Sequence, residues 1–454
     1  MKWLLIVIAT VVACEILRFL PFQNKFTEIK MFAAKAKRTI TNDKISDHWK
    51  ERVLPKFALR TGLACAVTLG FLILTVSPFL LVSYAYPGGA IQLTKALMNP
   101  WVMVGLLVLS ILYLKFRSTL SASKSDYSPT DRFLHHVALG VPVLPEVLHD
   151  VERALYLKSS PPAKNGDHVF VAGLARAGTT ILTRELHSTG HFGSLTYRDM
   201  PFVLAPNMWQ NLAGTSKLEA KTRAHGDGIQ VDLDSAEALE EAFWRITCGN
   251  KYILEDGLVP HNPDKDELEG YSDFLGLVLR RTGKQRYLSK NNNNILRIPA
   301  LYKQFPNARF LIPVRAPFQH ANSLLTQHQR FRNTSGFEAN YFKWLVHHEF
   351  GANHRPFGFG GSNSWPDDNI NYWLNAWIDA YKHLRAVQAD AVDRVHFVSH
   401  HQLCSNQTYQ EDICRKLGIT GAQFTEIRVI PEKPVENVDA KLAAAATEIY
   451  AEIA

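Results

Sequence analysis

The chain has 454 residues, 46% of them hydrophobic and 11% aromatic, so it is long enough for more than one ordinary domain and rich enough for a large core, which excludes bulk disorder. Its formal net charge of +8 suits a multiply phosphorylated ligand or an anionic membrane surface. Much of that excess lies near the N-terminus, and no helix-turn-helix, finger or RNA-binding signature accompanies it, so nucleic acid is not an expected partner.

Trp3 to Leu20 is a first apolar segment, interrupted by Glu15 and Arg18, and reads as a span, an interfacial helix or a signal peptide. Leu63 to Ala85 is a nearly continuous apolar run without a charge, long enough to cross about 30 Å of hydrocarbon. Pro100 to Leu114 is another, shorter run, with Tyr84, Tyr86, Trp101 and Tyr113 at the edges of the two, where interfacial aromatics sit. The turn Pro87-Gly88-Gly89 joins them as a transmembrane hairpin. Between the first and second segments the chain carries Lys25, Lys30, Lys35, Lys37, Arg38, Lys44, Lys50, Arg52, Lys56 and Arg60, and Lys115, Arg117 and Lys124 come after the last run. The positive-inside rule places both basic flanks, and everything after Lys115, in the cytosol. Cys14, Cys65, Cys248, Cys404 and Cys414 form no CxxC pair, so a zinc site or disulfide framework is not expected, and a reducing compartment fits.

These patterns divide the chain into three regions: a membrane anchor over 1–117, a Ser-rich and charged linker with a helix over 118–166, and a catalytic domain over 167–454. Arg132 to Leu157 has helical spacing. From His168 the pattern changes to short apolar strands alternating with helices. The strands are His168–Ala172, Arg286–Ser289, Arg309–Val314 and Arg394–Val398. The helices are Thr179–Ser188, Asp234–Thr247, Lys265–Thr282, Ile295–Phe305, a segment through Gln329, Asn371–Ala389 and Tyr409–Leu417. This alternation predicts an α/β fold, a P-loop-like parallel sheet flanked by helices and preceded by the transmembrane region. Asn291 to Asn294 reads as a loop.

The core of the chemistry is the strand-loop-helix through Gly173-Leu174-Ala175-Arg176-Ala177-Gly178-Thr179-Thr180. Such a loop aims backbone N–H groups and a positive helix end at a phosphate, and glycines leave room for close approach. Gly173 and Gly178 have the spacing of a nucleotide-triphosphate P-loop, but Thr179 stands in the lysine position and the cation has moved to Arg176. That argues against ATP hydrolysis and for a different phosphorylated ligand. Downstream, Arg315 ends an apolar strand, Pro317 opens a helix and Ser323 lies two turns in, a fork and a hydroxyl able to hold a second phosphate.

Arg176-Ala177-Gly178-Thr179-Thr180 resembles the PRSGTT-type loop of sulfotransferases that use 3′-phosphoadenosine-5′-phosphosulfate (PAPS), with Ala175 in place of the usual proline. Arg315 and Ser323 resemble that family's 3′-phosphate pair, and Phe305-Pro306-Asn307-Ala308-Arg309-Phe310 the segment before its strand. The resemblance covers about Asp167 to Leu417. It implies one α/β domain and PAPS as donor, with no metal required. It also implies that Gly173, Arg176, Ala177, Gly178, Thr179, Thr180, Arg315 and Ser323 hold the nucleotide.

Sulfuryl transfer needs a base for the acceptor's proton and cations for the leaving phosphate oxygen. Arg176 is the first cation, and Lys290 resembles the strand-end lysine of the tyrosylprotein branch. A glutamate about 20 residues after the loop arginine serves as base in that branch. Here Asp199 is the carboxylate between His187 and Asn207, which makes it the candidate, with His187 and His191 behind it. Glu240-Glu241 reads as the polar face of a helix, and Arg428 and Lys433 as weak matches to the family's basic C-terminal loop. The resemblance implies a hydroxyl acceptor. Membrane attachment favours a glycan or lipid-linked molecule, and a peptide tyrosine stays open. Two other classes compete: a P-loop nucleotide or small-molecule kinase, which calls for a loop lysine, and a non-catalytic membrane scaffold, which would have lost the phosphate ligands.

Overall fold

The computed structural model describes residues 2–20, 22–41, 47–86, 88–120, 129–141, 143–213, 221–222, 230–231, 236–420, 424–425, 427 and 434–454. The chain divides into two compact units, Met1–Pro142 and Val143–Ala454.

The first unit is helical: α1 (Lys2–Phe19), α2 (Phe22–Ile40), α3 (Asp47–Ala85), α4 (Gly89–Leu97), α5 (Pro100–Leu120) and α6 (Pro129–His135). The basic segment and the long apolar run are one continuous element where they meet, since α3 carries both Lys56 and Leu81. Within it Trp49–Tyr84 is long and apolar enough to cross a membrane. Of the turn expected at Pro87-Gly88-Gly89, Pro87 lies outside the described residues, and Gly88 leads into α4 rather than directly into the next apolar run. Residues Gly89–Leu97 and Pro100–Ile111 meet at a bend of 78°, so they count as a second span only if taken together. Apolar side chains face outward along these helices, with Leu81 72% and Trp101 84% exposed. The Glu15 carboxylate inside the first apolar segment accepts a hydrogen bond from Tyr113 Oη at 2.7 Å. The expected linker falls largely on residues 121–128, outside the described residues.

The second unit opens with α7 (Leu144–Tyr156). The single helix expected from Arg132 to Leu157 is therefore broken. It runs through α6, a π-helical turn at His136–Gly140, and a left-handed Val143 (φ 72°) before α7 restarts with a proline in its first turn. Next come β1 (Val169–Val171), α8 (Thr179–Ser188), β2 (Phe192–Gly193), α9 (Pro206–Ala213), the two-residue strands β3 (Lys221–Thr222) and β4 (Gln230–Val231), α10 (Glu241–Tyr252), α11 (Lys265–Thr282) and β5 (Arg286–Lys290). Beyond them lie α12 (Ile298–Gln304), β6 (Arg309–Val314), α13 (Pro317–Phe331), α14 (Gly336–Trp344), α15 (Ile370–Ala389), β7 (Val395–Ser399), α16 (His400–Ser405), α17 (Gln407–Lys416) and α18 (Ala440–Ile453).

Five strands form a parallel sheet in the order β2-β5-β1-β6-β7. Both faces are covered, which is why its central strands read as unbroken apolar runs instead of alternating. Val169 and Val171 pack toward Leu182, Leu186 and Leu403. Phe170, one residue out of phase, points to the other face, stacked on Phe310 at 5.0 Å and near Phe305 at 5.6 Å. Helix α11 shows how local signals agree. Asp264 and Glu267 cap its start reciprocally, Gly283 ends it in the left-handed region (φ 65°), and Tyr271, Phe274, Leu275 and Val278 form its buried stripe. The carboxyl ends of β5, β1, β6 and β7 all open on one edge of the sheet, where an α/β fold holds its ligands.

Candidate active site

The loop after β1 is built to bring backbone close to a ligand. Arg176 sits at φ 71° and Gly178 at φ 102°, and α8 starts at once with Thr179. A nest of backbone N–H groups leading into a helix N-terminus is an anion cradle. Gly178 is dictated twice over: by its φ, and because a Cβ there would lie 2.6 Å from His400 Cδ2. The loop is pinned from α13 by fully buried His320, whose Nε2–H donates to the Ala175 carbonyl at 2.7 Å. Burial first, then Arg315 and Arg176, push the His320 ring down to about 3, so it is neutral and adds no charge of its own to the cradle. No motif singles out His320 in the sequence; its place in the first turn after Pro317 is the one usable signal.

Arg315 and Ser323 reach the same loop. Arg176 Nε donates to Ser323 Oγ at 3.2 Å, and Arg315 Nη1 lies 3.5 Å from the Arg176 carbonyl. Gly173, Ala177, Thr179 and Thr180 stand in the loop and the first turn of α8. Thr179 Oγ1 turns inward and donates to Asn292 Oδ1 at 3.2 Å.

Lys290 ends β5 beside the cradle, its side chain 4% exposed and its Nζ 2.8 Å from Glu237 Oε1. Glu237 also accepts from Tyr197 Oη at 3.1 Å. The four asparagines next to it are not a loop in the loose sense. Asn292–Leu296 is a buried 3₁₀ turn, and each asparagine is bonded. Asn291 holds Glu241, Asn292 holds Glu349, Asn293 holds the Val346 carbonyl and Asn294 holds Glu240.

Glu240 and Glu241 overturn the expectation of a polar helix face, since both are 1% exposed and point into the sheet. Glu240 accepts from Tyr287 Oη, Ser289 Oγ and Asn294; its burial raises its pKa, which those three donors partly offset. Glu241 forms a two-point pair with Arg297 at 2.8 and 2.9 Å. Of the helix expected from Asp234, residues 232–235 lie outside the described residues; α10 starts at Glu241 with Glu240 as its N-cap, and Glu237 is directed inward from the stretch ahead of it.

Asp199 lies elsewhere. Its Oδ2 accepts from Thr196 N at 2.8 Å and from Arg281 Nη2 at 2.5 Å, closing a capping box on the 3₁₀ turn Tyr197–Asp199. Desolvation raises its pKa, against the pull of Arg281 and Thr196. His187 sits in the last turn of α8 and His191 just beyond, about 12 Å along the helix from the cradle at roughly 1.5 Å per residue. Arg428 and Lys433 lie outside the described residues.

An open cleft of about 510 Å³, its mouth included, is lined by Ala175, Arg176, Thr179, Thr180, Lys290 and Asn292. Phe342, His347, Glu349 and Phe350, from α14 and the segment after it, complete the lining. Sequence motifs point to none of these last four. The run Val346-His347-His348-Glu349 carries the right chemistry but no recognisable spacing.

A family profile described as "Sulfotransferase family" matches residues 168–423. No curated protein matches the chain. Among solved structures, the chain is similar to sulfotransferase STF1 from Mycobacterium tuberculosis H37Rv at 14% identity, covering 70% of this chain and 79% of that one, with a TM-score of 0.37. It is similar to sulfotransferase STF9 from Mycobacterium avium at 14% identity, covering 70% and 75%, with a TM-score of 0.36. A sulfotransferase from Alicyclobacillus acidocaldarius is 13% identical, with 63% and 91% covered and a TM-score of 0.32.

Proposed function

Since the chain belongs to the sulfotransferase family, we propose that it moves a sulfuryl group from PAPS to a hydroxyl of a glycan or lipid-linked acceptor. The observation that carries this is the joining of Arg176, Thr179, Thr180 and Lys290 around one cleft at the carboxyl edge of the sheet. In this reading the loop N–H groups and α8 hold the 5′-phosphosulfate, and Arg315 with Ser323 holds the 3′-phosphate. Arg176 and Lys290 then stabilise the charge that develops on the departing phosphate oxygen. Isothermal titration of the purified protein with PAPS, with adenosine 3′,5′-bisphosphate and with ATP tests it. Binding of the first two with ATP excluded is expected; preference for ATP would favour a kinase.

The 3′-phosphate assignment makes its own prediction. Arg315→Ala should weaken bisphosphate binding by about 2–4 kcal/mol, the loss of a charged two-point contact, and slow transfer at saturating donor much less. Unchanged affinity for the bisphosphate would remove Arg315 from the site.

The first unit is proposed to anchor the enzyme through more than one span, with the catalytic unit in the cytosol. The outward-facing apolar side chains of Trp49–Tyr84, together with the basic residues ahead of them, support this. Inside-out membrane vesicles treated with protease should lose a C-terminal tag, whereas right-side-out vesicles should keep it. The reverse pattern would place the catalytic unit on the other side.

A further inference from the structure

We infer that His347 takes the acceptor's proton, its ring held by Glu349. This deepens the sulfotransferase reading and rests on it. His347 and Glu349 line the same cleft as Arg176 and Lys290, where an acceptor would meet a sulfuryl group held by the cradle. His347 Nδ1 faces Glu349 Oε2 at 3.7 Å. A carboxylate beside Nδ1 keeps the proton on that nitrogen and leaves the lone pair on Nε2. Burial opposes ionisation of Glu349, but the neighbouring His347 ring and the hydrogen bond from Asn292 outweigh it and bring the carboxyl down to about 2. It is therefore an anion, suited to steady an imidazolium.

The pair is positioned by the cradle itself. Thr179 Oγ1 donates to Asn292 Oδ1, and Asn292 Nδ2 donates to Glu349 Oε1 at 2.8 Å, a chain running from the phosphate loop to the base. The turn presenting His347 is strained. Val346 is β-branched, fully buried and held at φ 55°, a conformation such residues rarely adopt. Asn293 grips its carbonyl at 3.1 Å, and His347 N donates to the Phe342 carbonyl at 2.8 Å. Asp199, by contrast, has its Oδ2 engaged by Arg281 and Thr196 and does not line the cleft.

In the step, the acceptor oxygen bonds to sulfur as its O–H proton passes to His347 Nε2. The bond between sulfur and the bridging phosphate oxygen breaks, and its electron pair leaves on the bisphosphate, beside Arg176 and Lys290.

The test exploits acceptor acidity. Full-length wild type, His347→Asn, Glu349→Gln and Asp199→Asn are given PAPS with either decyl glucoside, an un-ionised alcohol, or 4-nitrophenol, ionised in mildly alkaline buffer. Binding of adenosine 3′,5′-bisphosphate is measured alongside. A general base contributes about 10²–10⁴-fold, so His347→Asn should lose that much with the glucoside. It should keep near-normal transfer to 4-nitrophenolate, which needs no base, and normal bisphosphate affinity. Glu349→Gln should show the same selectivity, more weakly. Equal losses on both acceptors for His347→Asn, or the selective loss appearing in Asp199→Asn, overturn the assignment alone. A wild type that transfers to neither acceptor and binds no bisphosphate overturns the sulfotransferase reading, and this inference with it.

Discussion

Lys290→Ala is expected to lower turnover by about 10²-fold or more while affinity for the bisphosphate product changes little, because a preorganised charge acts mainly on the transition state. The geometry behind this is specific. Lys290 ends β5 directly beside β1, in register with Val171, so its ammonium stands next to the loop that carries Arg176. Burial would be costly for a lone ammonium, and Glu237 offsets that cost. In the proposed reading, the donor's phosphate competes with Glu237 for the same ammonium. Arg176→Ala should give a loss of the same order, together with weaker donor binding, since the arginine belongs to the cradle as well. Removing Lys290 also leaves Glu237 buried without its cation, so each variant is paired with a thermal melt, and Lys290→Ala,Glu237→Gln serves as a control for the orphaned carboxylate. If Lys290→Ala folds and turns over normally, the cation at the leaving oxygen is another group.

The parallel sheet and the phosphate loop are legible in the residues because both rest on local signals. Thr179–Ser188 and Lys265–Thr282 have the bounds expected of them: glycine, the capping box and an apolar stripe all act within a few residues of chain. The nearness of Arg176 and Lys290 is legible because of their placement, one in the loop that leaves a strand and the other at the end of the neighbouring strand. Local pattern does not convey partnership across the sheet. Glu240 and Glu241 look solvated in any helical projection. They are buried because β5 and the asparagine turn, about 50 residues later, supply their donors. The Asn291–Asn294 tract looks like a loop because asparagine favours turns, yet here three of its four amides are spent on buried carboxylates. Asp199 stands at the right distance along the chain, whereas His347 and Glu349 approach the cleft from more than 150 residues beyond the loop, where spacing gives no guide. The first unit departs from expectation at the short α4 between the two apolar runs, because Gly88-Gly89 signals a turn but not the helix beyond it; among the described residues one helix, Trp49–Tyr84, is by itself long and apolar enough to cross a membrane.

The largest effect on stability is expected at Arg297. Its guanidinium is fully buried, binds both oxygens of Glu241 and lies 4.8 Å over the Trp244 ring and 4.9 Å over that of Tyr252. Glu241 in turn accepts from Tyr252 Oη and from Asn291, the residue between Lys290 and Asn292. Replacing Arg297 with methionine fills part of the space but strands a carboxylate in the core. Breaking such a pair costs about 3–5 kcal/mol, which for a unit of this size lowers the melting temperature by roughly 10 °C. The double variant Arg297→Met,Glu241→Met removes the orphaned charge and should regain part of that loss, since apolar replacements of a buried ion pair are often tolerated. It should not regain activity, because Asn291 then loses the acceptor that holds the strand end beside Lys290. Melting temperature and turnover of the three proteins decide the matter together. A single variant that melts like wild type would mean that the Arg297–Glu241 pair contributes little to stability. A double variant with full turnover would mean that the buried pair serves the fold and not the placement of Lys290.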